Sequence, residues 1–164
     1  MPSIDVDIVK IEKKQDTQLI LGHAGFIKTA EDLYEAMVNA VPSVKFGLAF
    51  AEASGPCLVR SEGNDEQLTR QAEQNMLRIG AGHSFIILFE GAYPINVLNS
   101  IKHVNEVTRV YCATSNPVEV LVAKTGLGRS IIGVVDGSAS KGIEKSEDKA
   151  SRRKLLRSIG YKLG

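Results

Sequence analysis

The feature that most constrains the fold is a run of β-forming residues, 84–90, with glycines beyond both ends and His83 directly before it. Successive strand side chains point to opposite faces of a sheet. Both faces of this run are apolar, with Phe85, Ile87 and Phe89 on one side and Ile86 and Leu88 on the other. The run therefore predicts a central strand covered on both sides. A titratable histidine beside the Gly80-Ala81-Gly82 turn marks the entrance of that strand as a candidate site.

Hydrophobic periodicity along the chain predicts the element order β-β-α-β-β-α-β-α-β-β-β-α. Thr29 and Asn64 are the expected N-caps of the first two helices, and Gly80 is the expected residue after the second helix. A length of 164 residues is typical of one domain. We expect an α+β fold, a mixed α/β layer in which a mixed β-sheet is packed by helices in a single compact domain.

The C-terminal segment differs from the rest of the chain in charge. From Gly137 onward, eight Lys or Arg residues stand against three acidic residues, a net charge of +5, whereas the whole chain carries only +1. We divide the chain into a domain of residues 1–142 and a basic helix of residues 143–164 that packs on or extends it. That helix is either a solvated surface or a contact for another subunit. The near-neutral total charge argues against a nucleic-acid partner.

The cysteines and the N-terminus carry little functional signal. Cys57 and Cys112 are far apart and outside any C-x-x-C spacing, so we expect buried free thiols and no metal site. The first residues lack a secretory leader, and no apolar run is long enough to span a membrane. These observations predict a cytoplasmic protein without a membrane partner.

The segment 22–29 nearly matches a phosphate-binding P-loop. It lies between a predicted strand and a predicted helix and ends in Lys28-Thr29, as the motif requires. The residue before the lysine is Ile27, however, and isoleucine disfavours the positive φ angles of such loops. The alternatives left open are a looser anion site at the helix N-terminus, assisted by Lys28, and a plain loop.

Two further segments are weaker candidates. Arg129 follows Gly126-Leu127-Gly128, where backbone amides and a guanidinium could grip a phosphate, although a tight turn with a surface arginine explains the pattern equally well. Asn116, before Pro117, could offer its amide to a base edge or simply form a turn.

His83 has the strongest chemical case. A neutral imidazole can accept a phosphoryl group, and the small neighbours Gly82 and Ser84 would leave room for phosphate oxygens. Asp136 or Glu90 could fix its tautomer. The alternative is a structural, hydrogen-bonded histidine. His23, in the glycine loop, and His103, at a helix end, are weaker candidates.

Several segments, taken together and in order, resemble one family. They are Gly25-Phe26-Ile27-Lys28-Thr29 with Glu31 to Ala36, Lys45 to Phe50, Glu62 to Asp65, Gly80 to Phe85, Pro94 to Asn99, Cys112 to Pro117 and Gly133 to Gly137. From about Ile4 to the end, the chain is similar to the archaeal and bacterial adenosine-specific kinase family. None of these motifs is a general catalytic signature.

The resemblance implies a small oligomeric α/β protein that binds adenosine and AMP rather than ADP or ATP. It also implies a histidine that carries phosphate, a role that we assign to His83 in the Gly-His-Ser-Phe block. One residue departs from the family's pattern, because Gly25 stands where relatives have a more polar residue.

Two functions follow as expectations. In the first, the protein is a phosphotransferase in which His83 takes or gives a phosphoryl group, Lys28 and Arg129 neutralise it, and amides near Gly82 and Gly128 hold its oxygens. The purine stacks on Phe26, Phe85 or Tyr93. In the second, the protein is a non-catalytic AMP or adenosine sensor. The expected ligand-binding residues are Phe26, Lys28, Gly82, Ser84, Asn116, Arg129 and Asp136. The expected ligand is adenosine or AMP, without a certain cofactor, in a homo-oligomer.

Overall fold

The computed structural model describes residues 3–164 and contains eight strands and four helices. The strands are β1 (Asp5–Lys10), β2 (Gln18–Ala24), β3 (Lys45–Ala51), β4 (Val59–Gly63), β5 (Ser84–Glu90), β6 (Val107–Thr114), β7 (Val118–Lys124) and β8 (Arg129–Asp136). The helices are α1 (Thr29–Ala40), α2 (Glu66–Ile79), α3 (Pro94–Lys102) and α4 (Ser146–Ser158). Their order along the chain is the predicted one.

The strands form two sheets. The larger has the order β4-β3-β5-β2-β6, and the smaller has the order β1-β7-β8. β5 lies at the centre of the larger sheet, as its apolar residues on both faces predict. The predicted α+β class and single domain are confirmed. The prediction of one mixed sheet is wrong in two respects. The strands form two sheets, and every strand pair in them is antiparallel.

Two apolar cores lie on opposite faces of the larger sheet. On one face, Ile20, Phe46 and Phe85 pack against α1 and α3. On the other, Leu21 and Leu88 pack against α2 and the smaller sheet, with residues such as Met76 and Val120. The central strands are therefore covered on both sides, and their ends are the places where polar side chains can meet a ligand.

The helix ends confirm one sequence prediction and correct two. Gly80 follows α2 in the left-handed conformation, as predicted. Asn64 is not the N-cap of α2; the Asp65 carboxylate takes that role by accepting from the amide of Leu68. The Asn64 side chain instead bridges β3, accepting from the Phe46 amide and donating to the Val44 carbonyl. Likewise Lys28, not Thr29, precedes the first residue of α1.

The C-terminal helix α4 has no buried residue. Most of its apolar side chains and of those that follow it, including Leu155 and Ile159, are exposed, and Leu156 is half-buried. The division of the chain after residue 142 stays a prediction, but α4 extends from the body of the chain without being buried in it.

The two cysteines differ in environment. Cys112 is buried, as predicted, and burial raises the pKa of its thiol to about 12. Cys57 is exposed, so the prediction that both thiols are buried is wrong for Cys57. It lies in the turn before β4, outside both cores.

Nothing in residues 3–164 resembles a membrane-spanning helix in length and apolarity. Within the same residues, His, Cys, Asp and Glu side chains do not gather in groups of three or more that could hold a metal ion. The cytoplasmic location stays a prediction.

Candidate functional site

His83 lies at the mouth of β5 in an unusual backbone conformation. Its φ is 62°, in the left-handed region that non-glycine residues rarely occupy. Its amide donates to the Ala51 carbonyl at 2.7 Å, and its carbonyl accepts from the Ala24 amide at 2.8 Å. These two bonds tie His83 to segments on either side of β5. A strained residue that its surroundings hold in place is characteristic of functional sites.

The His83 imidazole is half-buried and lies between two other rings. The ring of the buried Phe50 is stacked on it, with centroids 6.0 Å apart and an interplanar angle of 15°. The His23 ring meets it edge-on at 5.9 Å. The ring is therefore neither sealed among aliphatic side chains nor fully solvated, and one part of it can reach a ligand.

Sequence reasoning missed the neighbourhood of His23. This residue lies on β2 opposite Ser84 of β5 and opposite Arg109 of β6. Its Nδ1 atom is 2.6 Å from the hydroxyl of Thr108. His23, Thr108 and Arg109 thus bring an imidazole, a hydroxyl and a guanidinium to the edge where His83 lies. Only the strand pairing unites them, so no local sequence pattern could have found them.

The pKa of His23 is lowered from its ordinary value by burial, then by the nearby His83 and by Arg109. The unfolded chain therefore binds this proton at a higher pH than the folded chain does. The contribution of neutral His23 to stability is present above about pH 6.5 and is lost as the pH falls below that value.

We expect NMR titration to place the midpoint of His23 below 6.5, with its signal assigned from a His23→Gln spectrum. Between pH 7.5 and 5.5, urea titrations should show a smaller loss of unfolding free energy for His23→Gln than for the parent. Equal losses, together with an ordinary midpoint, would contradict the proposed environment of this ring.

The two small residues beside His83 play structural roles in this arrangement. The buried Ser84 hydroxyl donates to the Ala81 carbonyl and approaches the Met76 sulfur at 3.2 Å, so it points into the core. A Cβ at Gly82 would lie 2.8 Å from the Cβ of Ala53. Glycine is needed there for close packing, and only the backbone of these two residues lies near the mouth.

The Gly25–Thr29 loop lies at the same end of the sheet as His83. The Ala24 amide donates a hydrogen bond to the His83 carbonyl, and the Gly25 amide donates one to the Glu106 carbonyl at 3.1 Å. Phe26 is 55% exposed and is available for stacking. Phe85, by contrast, is fully buried in the core, so the suggestion that it stacks on a purine is wrong.

The Lys28 ammonium is already matched by carboxylates. It lies 2.8 Å from Asp32 and 3.7 Å from Glu106. The hydrogen bond to Asp32 is the main cause that raises the pKa of Lys28. The Glu106 side chain is only 5% exposed, and burial, followed by the nearby Asp32, raises its pKa. One ammonium group at this loop therefore lies beside two carboxyl groups.

Arg129 is held by the C-terminal end of α2. Its Nε donates to the Ile79 carbonyl at 2.8 Å, one terminal nitrogen donates to the Arg78 carbonyl at 3.3 Å, and the other lies 3.2 Å from Asp7. A cation at helix-terminal carbonyls stabilises the helix. In this arrangement the guanidinium supports the turn that leads to His83, and its predicted phosphate contact stays a prediction.

Asn116, which follows β6, and Asp136, the last residue of β8 in the smaller sheet, lie together at the opposite end of the larger sheet. The Asn116 amide donates to Asp136 at 3.0 Å. Thr114 is the last residue of β6 and lies two residues before Asn116. It pairs with Leu19 near the start of β2, whereas His23 lies near the end of β2. At about 3.4 Å per residue, β2 separates the two ends by about 20 Å. The structure therefore divides the predicted ligand-binding set and does not place Asp136 beside the His83 ring.

Comparison with known proteins gives two findings. A family model described as "Adenosine specific kinase" matches residues 9–162. The fold is similar to that in "Crystal Structure of PH1918 protein from Pyrococcus horikoshii OT3", with a TM-score of 0.96 and 47% sequence identity, over 99% of this chain and 100% of that one. Among curated proteins, none matches the sequence.

Proposed function

The chain belongs to the adenosine specific kinase family, and from this premise we propose that it binds adenosine or AMP and accepts a phosphoryl group on His83. The observation that carries the proposal is the conformation of His83. A non-glycine residue at a φ of 62° is costly, by roughly 1–2 kcal/mol. The fold alone would favour glycine at this position, so the imidazole supports a chemical role.

In the proposed step, a ring nitrogen of His83 attacks the phosphorus of a phosphorylated nucleotide. An N–P bond forms, the P–O bond to the leaving group breaks, and the electron pair goes to the leaving oxygen, which takes a proton from water. The imidazole then releases its other N–H proton to solvent. Arg109, opposite His23, supplies positive charge at this edge of the sheet. Phe26 offers its ring to the purine.

The test uses AMP and ATP labelled at the transferable phosphate. We expect intact-mass analysis at alkaline pH to show one added phosphoryl group, lost on brief acid treatment, and peptide mapping to place it on His83. Calorimetry should show binding of adenosine and AMP. Phosphate on another residue, or on none, would overturn the acceptor role. Absence of adenosine and AMP binding would overturn the ligand assignment as well.

The second candidate is a non-catalytic AMP or adenosine sensor. The pairing of Lys28 with Asp32 and Glu106, and of Arg129 with Asp7, favours it. Neither cation is free to neutralise a transferring phosphoryl group without breaking those contacts. AMP binding with no acid-labile phosphate on the protein would select this function over the first.

For the partner, we propose a second copy of this chain. The outer face of the smaller sheet carries the exposed side chains of Val6 and Ile8, beside Leu121 and Ala123 in register. The exposed α4 segment carries Leu155 and Ile159. In a single chain, both the apolar sheet face and the apolar edge of the helix are exposed to solvent. The helix edge of one copy could therefore cover the sheet face of another. Residues 137–164 are basic and the rest of the chain is acidic, which favours the approach of this segment to the body of a second copy.

We expect the full chain to sediment as an oligomer and the double variant Leu155→Glu/Ile159→Glu to sediment as a monomer with unchanged AMP affinity. Two negative charges would oppose burial of the helix edge. The matched control, Leu77→Glu/Ile95→Glu, alters two exposed apolar residues elsewhere and should keep the parent's mass. A monomeric parent at all concentrations, or an oligomeric α4 variant, would contradict the docking.

A further inference from the structure

Glu106, directly before β6, carries a buried carboxyl group that the fold leaves without a hydrogen bond. Its side chain is 5% exposed, and within residues 3–164 neither of its carboxyl oxygens has a hydrogen-bond partner. Buried polar atoms are nearly always hydrogen-bonded, because an unmade bond leaves the cost of losing water uncompensated. The proposed phosphoryl step does not use this group. An unpartnered buried carboxyl therefore indicates a partner from outside the chain.

The Glu106 carboxyl belongs to the same end of the sheet as His83. The Glu106 carbonyl accepts from the Gly25 amide. The preceding residue, Ala24, donates its amide to the His83 carbonyl. Phe26 follows Gly25 and exposes its ring. The backbone thus brings a carboxyl group, an aromatic ring and an imidazole to one end of β2.

The half-exposed Lys28 side chain lies beside the Glu106 carboxyl. Its Nζ is 3.7 Å from Oε2 of Glu106, which is longer than a hydrogen bond, whereas it is 2.8 Å from Asp32. Lys28 can therefore turn away from Glu106 and keep the shorter bond to Asp32. This movement would give a ligand access to both oxygens of Glu106.

The environment of Glu106 favours its neutral form. Burial and then the nearby Asp32 carboxyl raise its pKa, and the Lys28 ammonium opposes them only in part. Asp32 and Lys28 are the charged groups that face it within the described chain. A proton on Glu106 leaves the charges of these two groups balanced. A neutral carboxyl presents one donor and one acceptor, whereas an ionised one presents acceptors alone.

Adenine is complementary to a neutral carboxyl along its N6/N7 edge, where N7 accepts a hydrogen bond and the N6 amino group donates one. Asparagine and glutamine amides, which also carry one donor and one acceptor, pair with adenine in this way. Guanine has two acceptors on the same edge, N7 and O6, so neither orientation of the carboxyl satisfies both. This edge therefore distinguishes the two purines.

We propose that Glu106 selects adenine in the ligand: its carboxyl O–H donates to N7, and its other oxygen accepts from the N6 amino group. The exposed Phe26 ring, in the same loop as Lys28, is placed to stack on the base. The inference rests on the proposed function, since it takes adenosine or AMP as the ligand.

The first experiment measures by calorimetry the binding of adenosine, of 7-deazaadenosine, which lacks the N7 acceptor, and of purine riboside, which lacks the N6 amino group. The parent should bind each analogue about tenfold more weakly than adenosine. Glu106→Leu should bind all three with similar affinity. A variant that binds all three more weakly by the same factor, and so keeps the parent's preference, would assign Glu106 a structural role and overturn the proposal.

The second experiment follows adenosine affinity from pH 5.5 to 8.5. The parent's affinity should fall as the pH rises through the pKa of Glu106, by at most about tenfold per pH unit, because only the protonated form donates to N7. Glu106→Gln keeps a donor and an acceptor but cannot ionise, so it should keep the preference for adenosine and lose this pH dependence. Both proteins contain the same histidines, so their difference isolates Glu106. A parent affinity that rises with pH would indicate an ionised carboxylate as the binding form and overturn the proposal.

The matched control, Glu35→Leu, removes an exposed carboxyl from α1 and should keep the parent's affinity and preference. Loss of the preference in this control would indicate a general effect of charge and overturn the role of Glu106. Adenosine binding without a preference that depends on Glu106 would overturn this inference alone. A parent that does not bind adenosine would overturn the ligand assignment of the proposed function and this inference with it.

Discussion

Replacing Gly47 by alanine is expected to destabilise the protein by about 3 kcal/mol or more, or to prevent folding. A Cβ at this position would lie 2.0 Å from the Thr69 amide nitrogen and 2.3 Å from the Leu68 carbonyl carbon. Both atoms belong to the backbone of α2, so no side-chain rotation can relieve the clash. The helix would have to move away from β3 and open the core between them.

Gly133→Ala is the matched control because Gly133 also lies within a strand. Its nearest atom to a new Cβ is a methyl carbon of Leu121 at 4.0 Å, an ordinary contact. Urea titration should give Gly133→Ala a stability within about 1 kcal/mol of the parent. A Gly47→Ala protein of similar stability would show that α2 does not lie directly against β3.

The same contact affects the candidate site. Helix α2 leads through Gly80 and Gly82 to His83, and Arg129 binds the carbonyl groups at the helix end. Displacing α2 would therefore shift the turn that holds the imidazole. We expect any folded fraction of Gly47→Ala to bind AMP more weakly than Gly133→Ala does.

Much of the fold could be predicted because it depends on local patterns. Apolar residues on both faces of 84–90 predicted the central strand, and Gly80 predicted the end of α2. The cap of α2 was misassigned by one residue, because Asn64 and Asp65 are both good caps and only the contacts with β3 decide between them. The separation into two antiparallel sheets depends on long-range pairing, which periodicity does not encode.

The candidate site was predicted less completely, for the same physical reason. His83 stood out through its glycine neighbours, but His23 and Arg109 reach it only through the pairing of β2 with β5 and β6. Asn116 and Asp136 looked compatible with the same ligand, although they lie at the other end of the sheet. The residue type indicates which chemistry a side chain can perform. The strand register decides which other side chains lie close enough to take part.

The largest functional effect is expected from a His83 series that separates strain from chemistry. His83→Ala and His83→Gly both remove the ring and its contact with Phe50, but only glycine adopts a φ near 62° without steric cost. We therefore expect the glycine variant to be more stable than the alanine variant by about 1 kcal/mol in urea titrations. Both variants should lose the acid-labile phosphate completely.

His83→Asn completes the series, because asparagine tolerates the left-handed region and keeps a polar side chain without a nucleophilic ring. It should be at least as stable as the alanine variant and equally free of phosphate. If glycine and alanine were equally stable, the backbone at residue 83 would be unstrained and the main support for a chemical role would be lost. If any variant kept the phosphate, the acceptor would be another residue, and His23 is the one whose ring lies within 5.9 Å of the His83 ring.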